Sequence, residues 1–175
     1  MKAKFVNIPS FEKMYNFLPK EIQDYIDKCA NTPQSSDWHP EAPNEKVPHN
    51  VKAHIRIVYN RAKKTEDINQ VISALFHDLG KADVTKLSRK GKWSAYGHEY
   101  ISSKLVEKYK NWIGSMGADW FQVYNIVKEH MRIKRFDEMR LIKQEQLRQN
   151  PYFDKINQFT KFDNMSNLTK EEEMK

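Results

Sequence analysis

Four histidines and two aspartates, in the order His54, His77-Asp78, His98, His130 and Asp163, each fall on the apolar face of a candidate helix. A water-excluding interior tolerates that many polar groups when they share a partner. Imidazole and carboxylate are donors for divalent metals, and one ion or a pair would satisfy all six at once. A single inward histidine is more often a hydrogen-bonded core residue than a ligand. Six such residues would need six separate partners, which makes a shared metal the simpler account.

The donor set also constrains the ion. Mixed imidazole and carboxylate without thiolate disfavours structural zinc and suits iron, manganese, nickel, cobalt or catalytic zinc. Cys29, the one cysteine, is not part of the set. Six donors exceed what one tetrahedral ion needs. Either two ions share a bridging carboxylate, or one ion takes four donors and the others meet substrate. In both cases Asp78 is pivotal, because His77 beside it fixes it at the metal and its second oxygen is free to reach another ion or a water.

Elements that could position these groups are mostly helical. Val51, His54, Ile55 and Val58 form one stripe; Ile68, Val71, Ile72 and Leu75 form another that runs into His77-Asp78. His98 heads Ile101, Ser102, Leu105 and Tyr109; His130 closes Val123, Ile126 and Val127; Asp163 closes Ile156, Phe159 and Thr160. The spacing predicts helices over 48–64, 66–79, 97–112, 118–131, 137–149 and 152–166, after two short helices within 11–30 broken at Pro19. A loop from Asn31 to Val47 separates the two groups. Thr85 to Ser88 and Lys92 to Ala95 flank Arg89-Lys90-Gly91, which reads as a small hairpin or extended loop at the mouth of the site. Gly114 and Gly117 are expected to break the chain before the His130 helix, and Pro151 to sit in a first helical turn. Residues 170–175 read as a frayed tail.

The net charge of +7 draws anions of every size, from phosphorylated small molecules to RNA. Its distribution is more informative. Lys81, Lys86, Arg89, Lys90 and Lys92 lie between His77-Asp78 and His98, and Arg132, Lys134, Arg135, Arg140 and Lys143 follow His130. Lys81, three residues past Asp78, is the best candidate for phosphate contact, with Arg132 and Lys86 as further substrate-binding candidates; the bland account is an ordinary solvated surface. Tyr15, Phe17, Trp112, Trp120, Phe121 and Phe153 have spacings that suit a core. Trp38, Trp93 and Tyr96 lie in loops beside the ligands and could stack on a nucleobase.

The bounds agree with a small enzyme. A chain of 175 residues suits one domain, here 1–175 with a core of about 38–166 and an N-terminal helical extension over 1–37. No apolar run approaches the ~20 residues of a membrane span. Lys2 and Lys4 are not followed by a signal-type apolar stretch, and a lone cysteine forms no internal disulfide, so a cytoplasmic location is expected. Nothing in the sequence bears on oligomeric state.

The segment Ala74-Leu75-Phe76-His77-Asp78-Leu79-Gly80-Lys81, with His54 before it and Asp163 after it, resembles the HD-domain metal-dependent phosphohydrolases. His39-Pro40-Glu41, Tyr96-Gly97-His98-Glu99 and Glu129-His130-Met131-Arg132 are similar to the HD region of bacterial CCA-adding tRNA nucleotidyltransferases and to small free-standing HD proteins. The length leaves no room for a nucleotidyltransferase head beside the HD helices, so the module is expected alone. The resemblance implies an all-α HD helical bundle in which His54, His77, Asp78 and Asp163 hold a first metal and His98 and His130 hold a second. His49 also precedes the pair, but His54 lies on the apolar face and is the expected ligand, with His49 at the helix start. His39 is expected in a loop packed near the site.

The reaction so implied is hydrolysis of a phosphate ester of a nucleotide or cyclic nucleotide by a metal-activated water. Asp78 would orient or deprotonate the water and Lys81 would neutralise phosphoryl charge. Two other classes stay in view. Some HD relatives use a diiron centre to oxidise small alcohols or phosphonates, and a nucleic-acid-binding protein could use the metal only to hold its helices together.

Overall fold

The computed structural model describes residues 7–164, so the expected tail at 170–175 and the lysines at 2 and 4 lie outside the described residues. The fold is all-α with one minimal hairpin, as the sequence indicated. Helix α1 (Phe11–Tyr15) is capped by Ser10, whose side chain accepts from the Lys13 amide, and α2 (Lys20–Cys29) starts directly after Pro19. Asn50 caps α3 (Val51–Lys63) by accepting from the Ala53 amide at 2.8 Å. Asp67 caps α4 (Ile68–Phe76) through the Asn69 amide. These caps start the helices where the apolar stripes begin, which fixes the face that each turns inward.

The middle of the molecule is α4. It is buried without interruption from Gln70 to Phe76, and its two polar residues in that run are hydrogen-bonded, Gln70 to the Lys155 carbonyl and Ser73 to that of Asn69. Helix α3 packs on one flank, and α8 (Trp120–Lys134) packs on another. Helix α6 (His98–Lys108) also lies on α8, and α10 (Phe153–Asp163) closes over α8 and α3. The shared core includes Ile55, Val58, Tyr59, Leu75, Phe76, Val123, Ile126, Val127, Ile156 and Phe159, all with no exposed surface.

Between α4 and α6 the chain makes the short α5 (Lys81–Val84) and an antiparallel pair, β1 (Lys86–Leu87) with β2 (Trp93–Ser94). Two glycines here have positional roles. Gly97, at φ 83°, makes the left-handed step that starts α6. Gly80 lies so close to α6 that an added Cβ would meet the His98 carbonyl oxygen at 2.3 Å.

Several expected boundaries move. The helix expected over 97–112 divides at Tyr109 into α6 and α7 (Lys110–Ser115), so Gly114 is helical and the break falls at Gly117, at φ 89°. The helix expected over 137–149 is a short 3-10 turn, Phe136–Glu138, followed by α9 (Leu141–Arg148). Pro151 precedes α10 instead of opening it. Two of the expected core aromatics, Phe17 in the turn after α1 and Phe121 in the first turn of α8, are 43% and 48% exposed. Among the described residues, no helix is long and apolar enough to cross a membrane.

Candidate metal centre

All six expected donors converge. His54 comes from the first turns of α3, and His77 caps the C-terminus of α4 with Asp78 in the following turn. His98 is the first residue of α6, His130 lies near the end of α8, and Asp163 is the last residue of α10. Each is 4% exposed or less. Their donor atoms form two groups that share one residue: His54, His77, Asp78 and Asp163, and Asp78, His98 and His130.

Asp78 is divided between the groups atom by atom. Its Oδ2 lies 3.2 Å from His77 Nε2 and 3.4 Å from His54 Nε2. Its Oδ1 lies 3.0 Å from His98 Nε2 and 3.7 Å from His130 Nε2. Asp163 Oδ1 completes the first group, at 2.8 Å from His54 Nε2 and 3.3 Å from His77 Nε2.

The hydrogen bonds behind the rings orient them as ligands. Nδ1–H of His77 donates to the Ala74 carbonyl at 2.8 Å, that of His98 to Ala95 at 2.9 Å, and that of His130 to Val127 at 2.6 Å. With the proton placed on Nδ1 by its carbonyl acceptor, Nε2 presents a lone pair to the centre. Yet the Nε2 atoms of His54 and His77 are 3.4 Å apart, and so are those of His98 and His130. Between His98 and His130, whose Nδ1 protons are both fixed by carbonyls, facing lone pairs at that distance need a shared cation or proton; His54 has no acceptor behind Nδ1 among the described residues, and its Nε2 lies 2.8 Å from Asp163 Oδ1. Donors about 2.1 Å from a common ion stand roughly 3.0–3.4 Å from one another in octahedral or tetrahedral arrangements. The observed spacings match, and the donor set fits one or two divalent ions.

The charges are arranged to keep both aspartates ionised. An unpaired buried carboxylate costs several kcal/mol, more than the about 1.5–3 kcal/mol returned by burying an apolar side chain, so compensation is required. Burial would raise Asp78, but His77 and Lys81 outweigh it and hold the carboxyl well below the usual range. For Asp163, burial is likewise outweighed by Lys134 and His77. Burial would lower His77, yet the two carboxylates raise it to about 9. His130 has less compensation, and burial takes it down to about 4.

Of the substrate-binding candidates, Lys81 and Arg132 line a cleft of about 1340 Å³ that opens at His98. Lys81 Nζ sits 3.2 Å from Asp78 Oδ2 and donates to Gln34 Oε1 at 2.8 Å. Arg132 is paired with Glu129 at 2.8 Å. Lys86 is exposed and is not among the residues that line the cleft. Thr85 faces the cleft, and in extended chain the next side chain points the other way. His39 also lines the cleft, edge-on to His54 with centroids 5.2 Å apart, while His49 lies just before the α3 cap. Cys29 is buried and is not among the donors; its thiol lies 4.0 Å from the carbonyl of Leu79, the residue after Asp78.

Two contributors escaped sequence reasoning. Lys134 forms an ion pair with Asp163 Oδ2. Its signal was present, since it stands four residues after His130 and so shares its face of α8. Gln34 comes from the long loop before α3, and no local pattern links it to Lys81.

Comparison with known proteins leads in one direction. Neither curated proteins nor solved structures gave a match. The family model described as the HD domain matches residues 51–150, a stretch that begins with α3, ends just after α9 and carries five of the six donors. With more than half of its length matched, the chain belongs to the HD domain family.

Proposed function

We propose that this chain is a metal-dependent phosphohydrolase acting on a phosphate ester of a nucleotide or cyclic nucleotide. The observation that carries the reading is the division of Asp78, whose two oxygens serve two groups of imidazoles. The chemistry that divalent cations supply in such a site is Lewis acidity, which makes water a nucleophile near neutral pH and polarises a phosphoryl oxygen.

The chain's own groups supply the rest. His54, His77 and Asp163 close one side of the site and are absent from the cleft lining, whereas His98 lines the cleft. The phosphoryl group therefore approaches from the side of His98, the one donor of the six that lines the cleft. Only three protein donors serve that side, so there is room for substrate or water. Asp78 orients the attacking water. Lys81, pinned between Gln34 and Asp78, offsets charge that builds on the phosphoryl oxygens, with Arg132 further out. If a single ion takes the four-donor group, His98 and His130 are placed to bind substrate or protonate the leaving oxygen.

The test is elemental analysis of protein purified without chelator, paired with hydrolysis of bis(p-nitrophenyl) phosphate, nucleoside monophosphates and 2',3'-cyclic nucleotides in manganese, iron, nickel, cobalt or zinc. Cyclic nucleotides are the first substrates to try, on the sequence resemblance of the segments around His39, His98 and His130 to the HD region of CCA-adding enzymes. Two ions per chain with diester turnover support the binuclear form, and one ion with monoester turnover supports a nucleotidase. Bound iron with oxygen consumption on a small alcohol or phosphonate, and no ester hydrolysis, would replace this reading with the oxidative one.

A further inference from the structure

The cleft beyond His98 carries more than one phosphate group can use. At about 1340 Å³ it exceeds the roughly 300–1,000 Å³ of most small-molecule pockets. Six cations line it against two carboxylates, and one of those carboxylates, Glu129, is already engaged by Arg132. Arg135, Arg140 and Lys143 form no ion pair among the described residues. They follow one another along the chain from the end of α8 to the first turn of α9, and all three line the cleft.

A different part of the chain brings aromatic faces to the same cleft. Trp38 comes from the loop before α3, Trp93 from β2, and Tyr96 and Tyr100 from the entry into α6. They are 62%, 41%, 96% and 61% exposed. Leaving four large rings in water beside a row of unpaired cations has no packing benefit. Serial cations suit successive phosphates, and open ring faces suit unpaired bases, a combination characteristic of single-strand binding.

We propose that the cleft is a track for a single-stranded polynucleotide, and that the substrate of the metal centre is a phosphodiester of that strand lying at the His98 end. The reaction assigned to the strand rests on the phosphohydrolase reading; its binding does not. In the reaction, the oxygen of water forms a new bond to phosphorus, the ester P–O bond breaks, and the leaving alkoxide oxygen takes up the proton that the water gives up.

The test uses the full chain and fluorescent oligo(U) and oligo(dT) of two, four and eight nucleotides, an abasic strand of eight, and a duplex, all measured by anisotropy with chelator present so that nothing is cleaved. Affinity is expected to rise with length and to weaken with salt. The abasic strand and the duplex should each bind at least about tenfold more weakly than the single strand of eight. Arg135→Ala with Arg140→Ala should cost the single strand about tenfold or more. Equal binding of the dinucleotide and the longest strand, or of abasic and natural strands, overturns the track while leaving mononucleotide hydrolysis intact. Strand binding without hydrolysis in any metal removes the phosphohydrolase reading and keeps the track. Preference for oligo(U) over oligo(dT) would identify the strand as RNA and support the proposal in its narrower form.

Discussion

Asp78 Oδ1 and His98 Nε2 meet at 3.0 Å, and Gly80 is the residue that lets them do so. The turn after α4 and the first turn of α6 come together over Gly80, whose amide also donates to Ser102 Oγ at 2.9 Å. A side chain there has no room, because the nearest obstacle is the backbone of His98 itself.

Gly80→Ala should therefore separate α6 from the Asp78 turn. We expect a folded protein destabilised by about 1–3 kcal/mol that holds one metal fewer, keeps the group around His54 and loses most of its hydrolysis. Metal-to-protein ratio and thermal melting read this directly. An unchanged ratio with full turnover would show that the close contact does not matter.

Asp78→Ala removes the residue common to both donor groups. Metal retention and hydrolysis should both vanish while far-UV circular dichroism stays helical, and full activity in this variant would disprove the site.

Lys134→Met keeps the length of the side chain and deletes the charge beside Asp163. Support of this kind behind a ligand is typically worth about 10–100-fold in metal affinity. Competition with a graded chelator should show a loss of that size, with Lys134→Arg retaining more than Lys134→Met. Wild-type affinity in the Met variant would mean that Asp163 needs no tether.

Metal removal should reveal a pH dependence set by His77. In the chelated protein its imidazolium is raised from 6.5 to about 9, so its stabilising charge is fully present below pH 6.5 and is lost as pH rises through 9. His130, lowered to about 4, acts oppositely: its contribution is complete above pH 6.5 and falls away as pH drops toward 4. Chelated protein is thus expected to melt highest around pH 6.5, and ion binding at neutral pH should release a proton. The extra melting temperature given by metal should grow from pH 6.5 to 9. Proton release is measurable in weak buffer with an indicator dye, and its absence would mean that His77 is already neutral.

The donors were legible because each sits on or directly after a periodic helix, where three-and-four spacing assigns a face before any tertiary contact is known. His54 could be preferred over His49 on that ground alone, and the structure places His54 in the cluster. What escaped was set by contacts between distant segments. Gln34 reaches Lys81 across 47 positions of chain, and the division of Asp78 between two groups depends on how closely α6 is seated. The outward turn of Lys86 depended on a strand only two residues long, too short to show alternation. The fold around the site followed local rules more closely, and where it departed, at Tyr109 and Gly114, the helices on both sides of the break pack on α8, a contact between distant segments that no local pattern announces.

Cys29 gives the molecule an internal clock. It is the one cysteine in the chain, it has no exposed surface, and its sulfur rests on the Leu79 carbonyl, one residue from Asp78. A thiol reagent can reach it only while α2 and the Asp78 turn are parted, so the rate of modification counts how often that seam opens. Modification of native protein slowed by added metal would time the fluctuations of the centre without any substrate or substitution.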